Sequence, residues 1–376
     1  MSVFLLILGI VLFISLIIIH EFGHFIVARR NKVIVEEFGI GFPPTALSKK
    51  MSSGYILSLN WLPLGGFVRL KGEHDSDRGK GSFGEASLWA KTKIISAGVG
   101  MNLAASFIIL TFLAIIGLPQ IVNHQFSIAG DSTITKQEVL AGYIQPNSPA
   151  SKINIKPQDN ILSIVNSHGE TIDVNNITTL SKITEDNAGN NIIINYQRNG
   201  VNYSSKVTLR TASDVRASLK TSSPKGYLGV EPSNYIIKKY TWSAPIVAVG
   251  FMKQVTVLTF KGIGNAIMGL IQGNTTKASS QVSGPVGIVV LLKNGSLLGY
   301  RFIFLIVAII SLSLAIINIL PIPALDGGRL FFTVIPRVLL KRPLKQKTEE
   351  LIHGSGMAAL LLIFVLITIV DIKRYF

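Results

Sequence analysis

Four stretches of the chain are apolar for about as long as a helix needs to cross the hydrocarbon of a bilayer, roughly 20 residues. They are residues 3–19 with a continuation through 25–28, residues 94–118, residues 302–320, and residues 351–372, whose cleanest run is 356–370. The first reads as a spanning helix (domain 1–28) and not as a cleaved leader. Nothing basic precedes Val3, and the run ends in His20-Glu21-Phe22-Gly23-His24 instead of small residues. A fifth apolar stretch, 244–270, carries Lys253, Gln254 and Lys261. Charge is costly in mid-membrane, so this part of 240–290 reads as one or two amphipathic helices at the interface. A fifth crossing there would invert the topology of everything after it.

Two segments alternate with the period of a strand. Tyr55, Leu57, Leu59 and Trp61 alternate with less apolar positions, and Pro63-Leu64-Gly65-Gly66 turns the chain, which predicts a hairpin over 54–70 inside a loop at 29–93. Residues 137–211 become polar, with β-type runs at 142–144, 160–165, 191–197 and 203–209, short helices expected at 150–153 and 178–184, and turns at Pro146-Asn147-Ser148-Pro149 and Arg198-Asn199-Gly200. They predict a compact α+β module with a small core of its own.

Composition agrees with a polytopic α-helical membrane protein of about four spans. The 376 residues are 48% hydrophobic and 15% charged, against roughly 25% charged in soluble domains; the mean hydropathy is +0.47. There is no cysteine, which excludes a disulfide framework, a thiol nucleophile and thiolate metal ligands. The net charge of +16 has no compact nucleic-acid motif behind it, so no nucleic-acid partner is expected. It gathers instead in the loop at 29–93 and in the segment before the last span (Arg329, Arg337, Lys341, Arg342, Lys345, Lys347). Both are short enough for the positive-inside rule, which places them in the cytoplasm and the long 119–300 region outside.

His20-Glu21-Phe22-Gly23-His24 fits H-E-x-x-H. On a helix the two imidazoles share a face, where they can hold one Zn²⁺ with the glutamate beside the attacking water. A catalytic zinc takes three protein ligands. Without cysteine, the third is His, Asp or Glu. Asp326 is the candidate, because it follows the third span in Asn318-Ile319-Leu320-Pro321-Ile322-Pro323-Ala324-Leu325-Asp326-Gly327-Gly328. The prolines break the helix, and the glycines let the main chain approach another element.

H-E-x-x-H in the first span and N-x-x-P-x-P-x-L-D-G after the third resemble the site-2 proteases, which are intramembrane zinc metalloproteases. The insert resembles the PDZ module of their bacterial RseP-like group. The resemblance covers nearly the whole chain. It implies zinc ligation by His20, His24 and Asp326, a general base at Glu21, and substrate contacts at Asn318. Residues 54–70 look like the family's membrane-associated hairpin, with Gly65, Gly66, Phe67 and Val68 as substrate-binding positions. The insert departs from a typical PDZ. The ligand-capture loop is read at Leu140-Ala141-Gly142-Tyr143-Ile144, with one glycine. The G-L-x-x-G-D motif reads Asn154-Ile155-Lys156-Pro157-Gln158-Asp159, with both glycines gone. Gly284-Pro285-Val286-Gly287-Ile288 also resembles a family segment, of open role.

The resemblance implies regulated proteolysis, in a bacterial cytoplasmic membrane, of single-span proteins already trimmed outside, either signalling proteins or signal-peptide remnants. The site would lie near the cytoplasmic face, with the bilayer and transmembrane proteins or peptides as partners. The competing reading is an inactive membrane scaffold. A metal transporter is a third, but no paired repeat supports it.

Overall fold

The computed structural model describes residues 2–221 and 223–376; Met1, at the head of the first predicted span, and the side chains of Pro63 and Leu64 in the predicted turn lie outside the described residues. The chain divides into two compact units, residues 1–113 with 243–376, and residues 114–242.

The first unit starts with α1 (Ser2–Arg30), β1 (Val35–Lys50), β2 (Ile56–Leu70) and α2 (Leu88–Ile116). An apolar run in lipid has no water to satisfy its peptide groups, so it closes them internally as helix. Strands β1 and β2 do more than form the hairpin predicted at 54–70. Residues 35–40 pair on one side with 66–70 and on the other with 56–59, and 56–60 also pairs with 45–50. Both strands therefore fold back on themselves, giving four short segments with 66–70 at one edge. The apolar side of this small sheet packs Val35, Phe38 and Leu70 against Phe25, Phe83 and Ile94.

The second unit holds β3 (Leu118–Pro119), β4 (Thr133–Ile144), α3 (Pro149–Lys152), β5 (Asn160–Val165), β6 (Thr171–Asp173), α4 (Ile177–Asp186), β7 (Asn191–Arg198), β8 (Val201–Thr208), α5 (Ala212–Ser218) and β9 (Val230–Lys239). The sheet order is β3-β9-β4-β5-β7-β8, with β6 on β5. Its core is aliphatic, around Val139, Ile161, Ile164, Ile192 and Ile194. The module predicted at 137–211 thus lacks a central strand, because β9 lies beyond 211 and pairs with β4 along its length. Residues 140–144, expected as a capture loop with a β-type run at 142–144, lie inside β4 and pair with β9, and Leu140 and Ala141 also pair with the 158–160 backbone. The chain enters β9 through Gly226-Tyr227-Leu228-Gly229. Asn154 and Gln158, at the two positions where the motif has glycine, both adopt positive φ, at 60° and 74°. The backbone keeps the glycine conformation at a cost of about 1–2 kcal/mol each. Asp159 secures that turn, accepting from Lys156 N at 2.8 Å and from Arg198 Nε and Nη2 at 2.7 and 2.6 Å. This pairing raises the pKa of Arg198 above its ordinary value.

The first unit resumes with α6 (Ala244–Ile271), α7 (Thr275–Ser280), α8 (Pro285–Leu298), α9 (Tyr300–Asn318), α10 (Asp326–Leu339) and α11 (Gln346–Tyr375). Among the described residues, five helices, α1, α2, α6, α9 and α11, are long and apolar enough to cross a membrane. The third predicted span, 302–320, forms α9 and ends as helix two residues early, at Asn318. Pro321 and Pro323 stop α9 at Asn318, and α10 begins at Asp326. The turn between them packs on its own backbone: a Cβ on Gly328 would lie 2.0 Å from the Ile322 carbonyl oxygen.

One buried ionic group ties these segments together. Asp75 is 2% exposed and Lys91 0%. The Asp75 carboxylate accepts from Lys91 Nζ and, at 2.7 Å, from Arg337 Nε of α10, while its backbone N–H donates to Glu349 Oε2 of α11 at 3.1 Å. Removing one member of such a group strands the others without solvent. Asp75→Leu is expected to lower the unfolding free energy by about 3–5 kcal/mol, and adding Lys91→Met with Arg337→Met to recover most of it. Unfolding midpoints in detergent for the single and triple variants check this.

Candidate active site

About five turns of apolar α1 precede His20, and its one-turn spacing to His24 sets both rings on the face that meets α2. Asp326 arrives as the first residue of α10. His20 Nε2 lies 3.0 Å from Asp326 Oδ2, His24 Nε2 lies 3.3 Å from the same oxygen, and the two ring nitrogens are 3.3 Å apart. A tetrahedral ion with bonds of about 2.0–2.1 Å has ligand–ligand edges of about 3.3–3.4 Å. The three atoms match one face of that tetrahedron.

Proton counting also asks for a cation here. His24 Nδ1 is 2.8 Å from the Ile94 carbonyl oxygen, which can only accept, so Nδ1 carries the hydrogen. In the neutral ring Nε2 then turns a lone pair toward a carboxylate oxygen. Two lone pairs at 3.3 Å in a buried site need a proton or a metal ion between them. Three donors at nearly equal separation suit the metal. His20, His24 and Asp326 are the one group of potential metal-binding side chains found among the described residues.

The space for the ring pair comes from α2. A Cβ on Gly98 would lie 2.4 Å from His24 Nε2 and 2.6 Å from His20 Nε2. On the other side of the contact, a Cβ on Gly23 would lie 2.6 Å from the Ala97 carbonyl oxygen. The helices meet there backbone to backbone.

A cavity of about 550 Å³ opens beside the triad, lined by Glu21, His24 and Asp326 together with Gly66, Phe67, Val68 and Arg69. Glu21 and the 66–70 edge are close, since a Cβ on Gly66 would be 3.1 Å from Glu21 Cγ. Of the predicted positions, Gly65 and Asn318 do not line this cavity; Asn318 closes α9, half-buried. The wall around Asp326 is held from outside. Ala324 has a φ of 74°, a strained value for a residue with a Cβ, and its N–H donates to His353 Nδ1 of α11 at 3.1 Å. Arg329 donates to the Glu73 carbonyl at 2.7 Å and stacks over Phe83 at 5.0 Å.

The sequence reading matched Gly98-Val99-Gly100-Met101-Asn102 to a segment of the resembled family without its usual proline, took that as a matter of local packing, and did not connect Gly98 or Asn102 with this site. Asn102 Nδ2 lies 3.2 Å from His20 Nδ1. The available signal was the Gly98–Asn102 spacing within an apolar span, which mirrors His20–His24, and the rule that a polar residue inside a span has work to do.

Comparison with known proteins gives a consistent picture. The model of peptidase family M50 matches residues 8–363. The chain is 31% identical over 377 residues to a protein of Clostridium acetobutylicum, covering 99% of this chain and 98% of that one. It is 29% identical over 367 residues to one of Campylobacter jejuni, covering 96% and 90%. It is 27% identical over 365 residues to one of Fusobacterium nucleatum, covering 96% of each. All three carry names that mark them, by inference, as zinc metalloproteases.

Gly98→Ala is expected to force the rings apart and to cost most of the bound zinc, whereas Gly100→Ala, with nothing within 4 Å of the added Cβ, should leave it intact. Metal content of the two purified proteins by elemental analysis checks the pair.

Proposed function

The chain belongs to peptidase family M50, and on that premise we propose that this membrane zinc metalloprotease cuts single-span membrane proteins inside their transmembrane segment, after an outside cut has shortened them. The observation that carries the reading is the convergence of Glu21, His24 and Asp326 on one cavity with the 66–70 strand edge. His20, His24 and Asp326 are the proposed zinc ligands. Zinc, when bound, supplies Lewis acidity toward the attacking water and the scissile carbonyl. Glu21 takes the proton from that water and hands it to the leaving amine. Residues 66–70 pair on one side only among the described residues. They can therefore receive an extended substrate by strand addition, with specificity in the side chains that alternate along it. Asn318 is proposed to meet the substrate backbone where it runs past the cavity.

The orientation follows the positive-inside rule, with the 29–87 and 329–347 segments cytoplasmic, in a bacterial cytoplasmic membrane. Four spans, α1, α2, α9 and α11, fit this best. Helix α6 has 28 residues, about 42 Å at 1.5 Å per residue, but both its ends lie toward the outer side. It begins next to Tyr240, whose N–H donates to Ala114 O near the end of α2. Its far end leads to Ser279, whose carbonyl accepts from Arg374 Nη2 at the end of α11 at 2.6 Å. A helix tethered at both ends to the outer termini of two spans lies along the interface.

The 114–242 unit is proposed to be a PDZ-like filter that keeps untrimmed proteins from the site. Its two ends meet at the Tyr240–Ala114 hydrogen bond, so it can be replaced by a short linker. Wild-type protein, Glu21→Gln and a variant with residues 118–239 replaced by a Gly-Ser linker are to be reconstituted with a trimmed and an untrimmed single-span reporter. Wild type should cut only the trimmed one, Glu21→Gln neither while keeping its zinc, and the linker variant both. Cleavage by Glu21→Gln would remove the base assignment, and a linker variant as selective as wild type would remove the filter.

A further inference from the structure

Asn102 and His20 meet at the one point of the ligand set where a hydrogen bond has to change direction. His24 has a fixed partner, because its Nδ1–H faces a backbone carbonyl, which accepts whatever the metal state. His20 has no carbonyl there. Its Nδ1 faces the side-chain amide of Asn102, which is 1% exposed. The amide nitrogen lies at 3.2 Å, and Oδ1 is buried with no hydrogen-bond partner.

One arrangement of the pair puts the His20 hydrogen on Nε2, 3.0 Å from Asp326 Oδ2, leaving a lone pair on Nδ1, and the amide N–H donates to it. It cannot persist once Nε2 gives its lone pair to a metal ion. The neutral ring then carries its hydrogen on Nδ1, and an Nδ1–H facing an NH₂ group sets two donors against each other. A half-turn of the amide about its Cβ–Cγ bond exchanges the two ends and brings Oδ1 onto Nδ1–H. The proton balance closes within the ring, with one hydrogen lost from Nε2 and one gained at Nδ1.

We propose that Asn102 is a positioning residue for zinc, an amide whose reversal follows the His20 tautomer and stabilises the metal-binding one. This rests on the reading of His20 as a ligand. Asparagine suits the task because it offers a donor and an acceptor on one plane. Its backbone is held independently: Ser311 Oγ of α9 donates to the Asn102 carbonyl at 2.8 Å, so the side chain can turn while α2 stays.

The substitutions separate acceptor from shape. Asn102→Asp keeps an acceptor and loses the donor. Asn102→Leu keeps the size and loses both, and Asn102→Ala loses size as well. Zinc affinity is read by competition with a chromogenic chelator, on full-length protein in detergent, with melting of the zinc-free forms measured alongside. Loss of a partner behind a metal-bound imidazole weakens metal binding by about 10–100-fold. Asn102→Leu and Asn102→Ala are expected to fall in that range with zinc-free melting unchanged, and Asn102→Asp to bind as tightly as wild type or more tightly. Leu or Ala binding as tightly as wild type, or Asp as weak as Leu, would overturn the proposal. His20→Ala distinguishes the levels: if it keeps wild-type affinity, the ligand assignment fails, and if it alone loses zinc, only the role of Asn102 fails.

Discussion

Helix α2 lies against α1 with no side chain between them at Gly98, and the reactive centre depends on that contact. Two imidazoles one turn apart on an isolated helix would spread into solvent or lipid and would not hold a common point. Against the bare backbone at Gly98, both rings are confined to the same side. The Ile94 carbonyl and the Asn102 amide, on the same helix and one turn to either side of Gly98, then fix their outer nitrogens. The helix that makes room for the rings also sets their hydrogen bonds. A methyl group at that point would displace the rings and misalign the hydrogen bonds in the same step.

The third donor is positioned by a different principle. Asp326 begins a helix after a proline-broken turn, and such a turn is soft unless something outside it decides its shape. Here the decision comes from α11 and from the 71–87 loop. His353 holds the strained Ala324, Arg329 is anchored on Glu73, and the Asp75 group binds α10 and α11 to the start of α2. These partners are charged or strongly polar, and several are buried. Such groups are poor contributors to stability relative to apolar packing, but they tolerate only one arrangement. For a carboxylate that must sit about 3 Å from two imidazoles, a single arrangement matters more than a stable one.

What was legible in the sequence follows the same division between local and distant causes. H-E-x-x-H is a pattern within one helical turn, so the shared face of the two histidines could be inferred from the sequence, though not the packing that fixes their rings. Asp326 was legible because Pro321, Pro323, Gly327 and Gly328 mark a turn whatever surrounds them. Four of the five long apolar helices were legible as spans from composition, while the lysines of α6 made it read as interfacial. Strand β9 was not legible, since its exposed Glu231, Ser233 and Asn234 dilute the alternation and its partner β4 is distant in sequence. Residues 140–144 carried two readings, a β-type run at 142–144 and the family's capture loop; pairing with β9, which is distant in sequence, decides for the strand. In β1 Pro43, Pro44 and the charged residues at its two ends obscured a strand that folds back on itself. Gly98 and Asn102 were visible as residues but not as neighbours of His20, because that adjacency exists only once α2 has packed.

The proposed chemistry imposes a last constraint on the first unit. A transmembrane substrate arrives as a helix, with its peptide groups paired internally, and each unpaired group in hydrocarbon costs several kcal/mol. Hydrolysis needs an extended segment, so something must replace the helical hydrogen bonds at the point of cleavage. The 66–70 edge offers backbone donors and acceptors in a row, and Gly66 lets that edge lie against Glu21 with no side chain between. Strand and base therefore have to be neighbours, since an edge placed further away would unwind the substrate where no water can be activated. The sharing of one cavity by Gly66, Phe67, Val68, Glu21, His24 and Asp326 meets that requirement. It also gives a physical reason why the β-sheet is inserted between α1 and α2, the two helices that carry and cradle the histidines.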